Sequence, residues 1–233
     1  MDDEWFKFQS HILELEQKGL VTRTFRRLDP NRQRAVVNAV LEESAEKGPA
    51  SLNIKAVALR AGVSVGSLYQ YFPKRRGLLN FAVELCVRYM TDAFDEFKPY
   101  LVALPLREAL KTYLASGIEW GQTEVGLVRF FGRAAYQGDP VLGEQVVRPI
   151  ATAMHEVIDA ILAQAAARGE IRPDVDLEAA SRVINALLIA VGDSQLLPYL
   201  NTYFQVTGEE MPAERILDTL LDLVTTGLQP KAE

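Results

Sequence analysis

Apolar residues recur along this chain at spacings of three and four, and no stretch alternates with a period of two, so the pattern predicts helices throughout. Beyond Leu78 it gives helices over about Leu78 to Phe97, Leu106 to Trp120, Thr123 to Tyr136 and Pro140 to Arg168. Gly138-Asp139-Pro140 and the run from Arg168-Gly169 to Pro173-Asp174 supply stop and start signals; Asp176 caps a further helix toward Val191, and a last one spans about Pro212 to Gly227. At the other end Trp5, Phe8, Ile12 and Leu15 keep helical spacing up to Lys18-Gly19, which predicts an amphipathic helix that docks on its own chain or on a partner. Asp29-Pro30 opens the next helix and Gly48 closes it. The expected fold class is all-α, with no repeat or low-complexity run.

One short stretch has a different grammar. In A61-G-V-S-V-G-S-L-Y-Q-Y-F72, Asn53 caps a first helix running through Ala61, Gly62 frees the backbone at its end, and Ser64 caps a second helix. Two helices joined by so tight a turn read as a DNA-binding helix-turn-helix. Val57, Val63 and Leu68 fall inside the corner, leaving Val65, Gly66, Ser67, Tyr69, Gln70 and Tyr71 for an outer face. Free amides near Val65 to Ser67 favour an anion, and Gly66 lets backbone approach DNA or another helix closely. Ser67 and Gln70 can bond base edges or phosphates, and Val65 offers a methyl contact to thymine. Lys55, Tyr69, Tyr71, Lys74 and Arg75 read as phosphate contacts. The expected DNA-binding set is therefore Asn53, Lys55, Ser64, Val65, Gly66, Ser67, Tyr69, Gln70, Tyr71, Lys74 and Arg75.

Charge supports that assignment. The 233-residue chain is acidic, with a net charge of −6, yet Thr22 to Asn80 carries eleven Lys or Arg against four Asp or Glu. No acid falls between Glu46 and Glu84, where Lys47, Lys55, Arg60, Lys74, Arg75 and Arg76 do. A positive block beside a negative body orients approach to a polyanion. Arg23, Arg26 and Arg27 can form an arm into a minor groove, lie along the phosphate backbone, or sit in solvent.

V57-A58, A61-G62-V63-S64, G66-x-L68-Y69 and Y71-F72-P73 followed by a basic pair before L78-L79 resemble the TetR family of bacterial transcriptional regulators over roughly residues 30 to 81. Ser44 and Pro49 stand where that family usually has aromatics, Tyr71 where His is common, and Arg76 where Glu is frequent. Phe81 is a candidate to fill the space left at Ser44. The resemblance implies an N-terminal three-helix DNA-binding domain fused to a larger helical ligand-binding and dimerisation domain. The divisions are an extension at 1–21, the DNA-binding domain at 22–80 and the ligand and dimer domain at 81–233, with the helix from Leu78 as a lever between them. It also implies a homodimer on a near-palindromic double-stranded DNA operator, acting as a repressor released by a small-molecule effector. The apolar stripes Val183, Leu187, Ala190, Val191 and Ile216, Leu220, Leu221, Val224 are the expected dimer helices, unless one chain buries both. An effector site is expected among Trp120, Arg129, Phe130, Phe131, Arg133, Tyr136 and His155, for a partly apolar organic molecule, with Asp159 and Asp193 as candidates for a cation.

The remaining composition excludes more than it adds. With Cys86 the single cysteine and His11 and His155 far apart, no disulfide or metal cluster is expected, and no cofactor. Cys86 reads as a small core residue. No apolar run is long enough to span a bilayer, and Asp2-Asp3-Glu4-Trp5 is unlike a secretory signal, so a cytoplasmic protein without membrane contact is expected. Phosphate loop, dinucleotide turn and nucleophile elbow are all missing, so no catalytic residue is assigned. The alternative is an all-helical small-molecule-binding protein or enzyme without DNA function.

Overall fold

The computed structural model describes residues 11–48, 51–73 and 77–230, and among these the regular structure is helical. The chain divides into two compact units, one of residues 1–90 with 129–148 and the other of 91–128 with 149–233. Helix α1 covers 11–17, followed by α2 (Arg23–Arg26), α3 (Pro30–Lys47), α4 (Ile54–Arg60), α5 (Val65–Tyr71) and α6 (Gly77–Ala103). Then come α7 (Leu106–Thr123), α8 (Val125–Tyr136), α9 (Pro140–Leu142), a π-helical stretch Gly143–Val147, α10 (Arg148–Ala167), α11 (Leu177–Leu196), α12 (Pro198–Phe204) and α13 (Ala213–Leu228).

Local signals in the sequence set most of these ends. Asp29 accepts from the Arg32 amide at 3.1 Å with Pro30 at the first helical position, Asp139 accepts from Val141 and Leu142 ahead of α9, and Asp176 accepts from Ala179 ahead of α11. Helix α6 runs six residues past the expected end at Phe97, straight through Pro99. Proline in a helix interior costs about 3 kcal/mol. Burial of Leu101, only 1% exposed, draws the chain on into the core despite that cost.

In the first unit, Phe25, Phe72 and Phe81 form a closed cluster with ring centroids 5.1 to 5.7 Å apart. Phe81 thus has aromatic partners, while Ser44 is fully buried and its hydroxyl donates to the Val40 carbonyl at 2.6 Å. Helix α1 buries Ile12 and Leu15 and is tied to its own chain by Glu14 with Arg88, Lys18 with Glu84 and Arg26 with Glu16. Trp5 and Phe8, the other half of its expected stripe, lie outside the described residues. Cys86 is fully buried, its Sγ 3.8 Å from Met90 Sδ, and burial pushes its thiol pKa far up.

The second unit is a helical core of Leu106, Leu110, Tyr113, Leu114, Ile158, Ile161, Leu162, Ile184, Leu188, Leu220 and Leu221. The α13 stripe is thus engaged within its own chain, with Ile216 and Val224 packed partly buried against the same core. On α11, Val191 joins the core, but Val183 and Leu187 stay exposed, as does Leu223 of α13.

The α6–α7 turn is clasped by the chain after α10. Arg168 donates to the carbonyls of Val102 and Leu104 at 2.9 and 2.8 Å, and Glu170 accepts from the Leu106 amide at 2.6 Å. Pro105 offers α7 no side-chain cap, so Glu170 takes that role from a distant part of the sequence. Burial raises the Glu170 pKa, but the bonds from Arg168 and the Leu106 amide outweigh it and hold the carboxyl below its ordinary value. Replacing Glu170 with Ala is expected to lower unfolding free energy by about 1–2 kcal/mol in denaturant titrations near neutral pH. A carboxyl depressed in the folded state contributes stability above the unfolded value of about 4.3 and loses it as pH falls through the folded value, so the variant's deficit should shrink in acid.

Candidate nucleic-acid interface

Helix α4 starts where Asn53 Oδ1 accepts from the amides of Lys55 at 3.0 Å and Ala56 at 3.4 Å. Its end is turned by Gly62 at φ +64°, whose amide donates to the Leu59 carbonyl while that of Val63 donates to Ala58. A Cβ built on Gly62 meets nothing within 4 Å, so the positive φ alone selects glycine there. Ser64 Oγ accepts from the Ser67 amide at 2.9 Å and lies 2.9 Å from Ser67 Oγ, opening α5. Val57 and Leu68 are fully buried inside the corner and Val63 is half-buried.

On the outer side Asn53, Lys55, Ser64, Gly66, Tyr69 and Gln70 are exposed, and Val65 and Ser67 half-buried. The structure therefore gathers eight of the expected DNA-contacting residues on one continuous element pair, with Asn53 and Ser64 engaged as caps. Lys74 and Arg75, and with them Arg76, lie outside the described residues. A Cβ on Gly66 would find only Ser64 Oγ, at an ordinary 3.6 Å, so close helix packing does not demand glycine at that position.

Three expectations are corrected. Tyr71 is not on the outer face: its ring is 6% exposed and packs on Phe25 at a centroid distance of 5.9 Å, because the seven-residue helix turns it toward the phenylalanine cluster. Arg60 does not join a phosphate-facing rim. Its guanidinium sits against Glu42 at 3.5 Å, the buried Glu43 at 3.4 Å and Glu46, with which it also hydrogen-bonds; it fastens α4 to α3. That hydrogen bond holds the Glu46 carboxyl below, and the Arg60 guanidinium above, its ordinary pKa. Arg23, Arg26 and Arg27 are not an extended arm, since burial of Phe25 folds them into α2 and its C-cap, and Arg26 pairs with Glu16.

The residues expected around an effector are drawn from both units. Trp120 and His155 belong to the second unit and Arg129, Phe130, Phe131, Arg133 and Tyr136 to the first. Phe130 is fully buried, Phe131 half-buried, and Arg129 and Tyr136 exposed. Arg133 is engaged structurally, its Nε donating at 3.1 Å to the Ala45 carbonyl near the end of α3. His155 Nε2 lies 2.8 Å from Ser181 Oγ and 3.6 Å from Asp159. Among the described residues no three His, Cys, Asp or Glu side chains gather as metal ligands. No described helix is long and apolar enough to cross a membrane.

If α5 is built as described, Gly62→Ala should lower the melting temperature, at a cost of about 1–2 kcal/mol for a side chain at positive φ. Gly66→Ala should hold or raise it, by up to about 1 kcal/mol of helix propensity. Calorimetry on both variants checks the contrast.

A family model described as bacterial regulatory proteins, tetR family, matches residues 36–81, from α3 into α6. A second, described as the tetracyclin repressor-like C-terminal domain, matches 105–191. No curated protein sequence matches the chain. Among solved structures, a TetR family transcriptional regulator from Chloroflexus aurantiacus J-10-FL is 20% identical at a TM-score of 0.62, over 91% of this chain and 99% of that one. The transcriptional regulator FadR from Bacillus subtilis, in complex with stearoyl-CoA, is 16% identical at a TM-score of 0.59 over 84% and 99%. SmeT, named as the repressor of a Stenotrophomonas maltophilia multidrug efflux pump, matches in its triclosan complex at 18% identity and a TM-score of 0.64 over 87% and 93%.

Proposed function

Because the chain belongs to the TetR family of bacterial regulatory proteins, we propose that it represses transcription by placing α5 in the major groove of a near-palindromic operator and that a small molecule releases it. The observation that carries this reading is Gly66: exposed, at the start of a capped helix, with nothing nearer to the place of its missing side chain than Ser64 Oγ at an ordinary 3.6 Å. A glycine that neither strain nor packing requires is explained by a surface that must come close from outside. The proposed contacts are Lys55, Val65, Gly66, Ser67, Tyr69 and Gln70, with Lys74 and Arg75 completing the phosphate set.

Two such helices reach one face of DNA only if a second copy supplies the other, about 34 Å away. Val183 and Leu187 on α11 and Leu223 on α13, 43% to 71% exposed, support a homodimer through these helices. Leu187→Glu is expected to shift sedimentation toward the monomer and to abolish tight DNA binding together with it; a variant that stays dimeric removes Leu187 from the interface.

Release requires an effector that binds one conformation better than the other, since equal affinity for both moves nothing. The stearoyl-CoA and triclosan complexes of the similar folds support an effector that is partly apolar. The chain's DNA-binding and regulatory parts, 22–80 and 81–233, share α6, the proposed lever.

Titration of duplex DNA from upstream of the chain's own gene, over a series of salt concentrations, tests the reading. Arg75→Ala should weaken binding alike on all duplexes and make the plot of log affinity against log salt shallower by about 0.9 per lost contact. Gln70→Ala should change which duplexes bind best, and Gly66→Ala should weaken binding without loss of stability. Binding that is insensitive to all three changes, or absent at low salt, would contradict it.

A further inference from the structure

Helix α2 lies ahead of the segment that matches the family model, and it is joined directly to the end of α5. The Thr22 amide donates to the Tyr71 carbonyl at 2.9 Å, and the Thr22 hydroxyl to the Gln70 carbonyl at 2.7 Å. These are among the last carbonyls of α5, groups that a helix end leaves without partners. Thr22 also caps α2, with its oxygen 3.4 Å from the Phe25 amide. One residue therefore closes one helix and opens the next, and Phe25 locks the joint from inside by packing on Tyr71 and Phe72.

The three arginines of this turn are not equivalent. Arg26 is half-buried and paired with Glu16, whereas Arg23 and Arg27, four residues apart, are exposed. Neither of the latter has a side-chain partner among the described residues. Two unpaired guanidinium groups on one side of a turn, held to the helix that presents Tyr69 and Gln70, form a cationic edge at a fixed place beside that helix. Guanidinium matches phosphate bidentately, and holding it on folded backbone avoids the ordering cost of a loose arm.

We propose that α2 is a second DNA-contacting element, in which Arg23 and Arg27 grip backbone phosphates flanking the bases that α5 faces, and Thr22 is the residue that positions them. The inference rests on the reading of α5 as the groove-entering helix. It differs from a minor-groove arm in its consequence: phosphate contacts from a fixed turn add affinity and salt dependence without adding base preference.

The test uses the full chain and the same upstream duplex. For Arg23→Ala/Arg27→Ala the slope of log affinity on log salt should become shallower by about 2 for each subunit on the DNA, and affinity near physiological salt should fall at least tenfold. The order of preference among altered duplexes should not change. Arg23→Lys/Arg27→Lys should restore most of the slope. Thr22→Val keeps both charges but loses the hydroxyl bond, so it should bind several-fold more weakly at an unchanged slope, with recovery in Thr22→Ser. Circular dichroism melting of every variant separates loss of fold from loss of contact. A double alanine variant that is folded and binds with the parent's slope and affinity overturns the proposal, as does one whose sequence preference shifts. If the parent chain itself shows no salt-dependent binding, the reading of α5 falls and this inference with it, whereas parental binding with an indifferent double variant removes only α2.

Discussion

A helix of seven residues is too short to persist in water, because nucleation costs more than a single turn returns. Helix α5 exists here because both of its ends and one of its faces are held by other parts of the chain. Ser64 satisfies an amide at its start, Thr22 two carbonyls at its end, and Leu68 and Tyr71 are drawn into the interior beside Phe25, Phe72 and Phe81. That aromatic cluster is the constraint on which the rest depends. It fixes which residues of α5 face inward, and so leaves Gly66, Tyr69 and Gln70 as its outer surface.

The same cluster explains how charge is distributed at the DNA end. Folding of Phe25 into the interior converts a basic segment into a short helix and turns one arginine, Arg26, toward Glu16. Arg60 is drawn off in a comparable way by three carboxylates of α3. A count of basic residues in this region therefore overstates the cations available to a polyanion, and the structure separates those that brace helices from those that face outward. The bracing pairs matter through geometry: Glu43 is nearly inaccessible, so the Arg60 guanidinium beside it sets where α4 lies on α3.

Much of this was legible in the sequence wherever the signal is local. The caps at Asp29, Asn53, Ser64, Asp139 and Asp176 are carried by side chains that bond backbone two or three residues away, and the turn at Gly62 by a positive φ that glycine adopts without strain. What escaped depends on long-range partners. Tyr71 reads as a surface residue until Phe25, 46 positions earlier, is known to reach it; Arg133 reads as free until the Ala45 carbonyl is seen beneath it. The continuation of α6 through Pro99 follows from burial of Leu101, which overrides a local stop signal. Helix α12 buries no residue and so left no apolar period to find. Effector residues carry no local signal of their own, because an aromatic on a core face and one lining a cavity produce the same spacing.

Selection of bound duplexes from a random pool at fixed salt, followed by reading the enriched sequences, addresses the central claim most directly. A capped, outward-facing α5 used twice by a symmetric pair predicts two inverted half-sites whose centres lie one helical turn, about 34 Å, or a multiple of it apart. Enrichment of a single unpaired site, or of no sequence at all, would contradict the account.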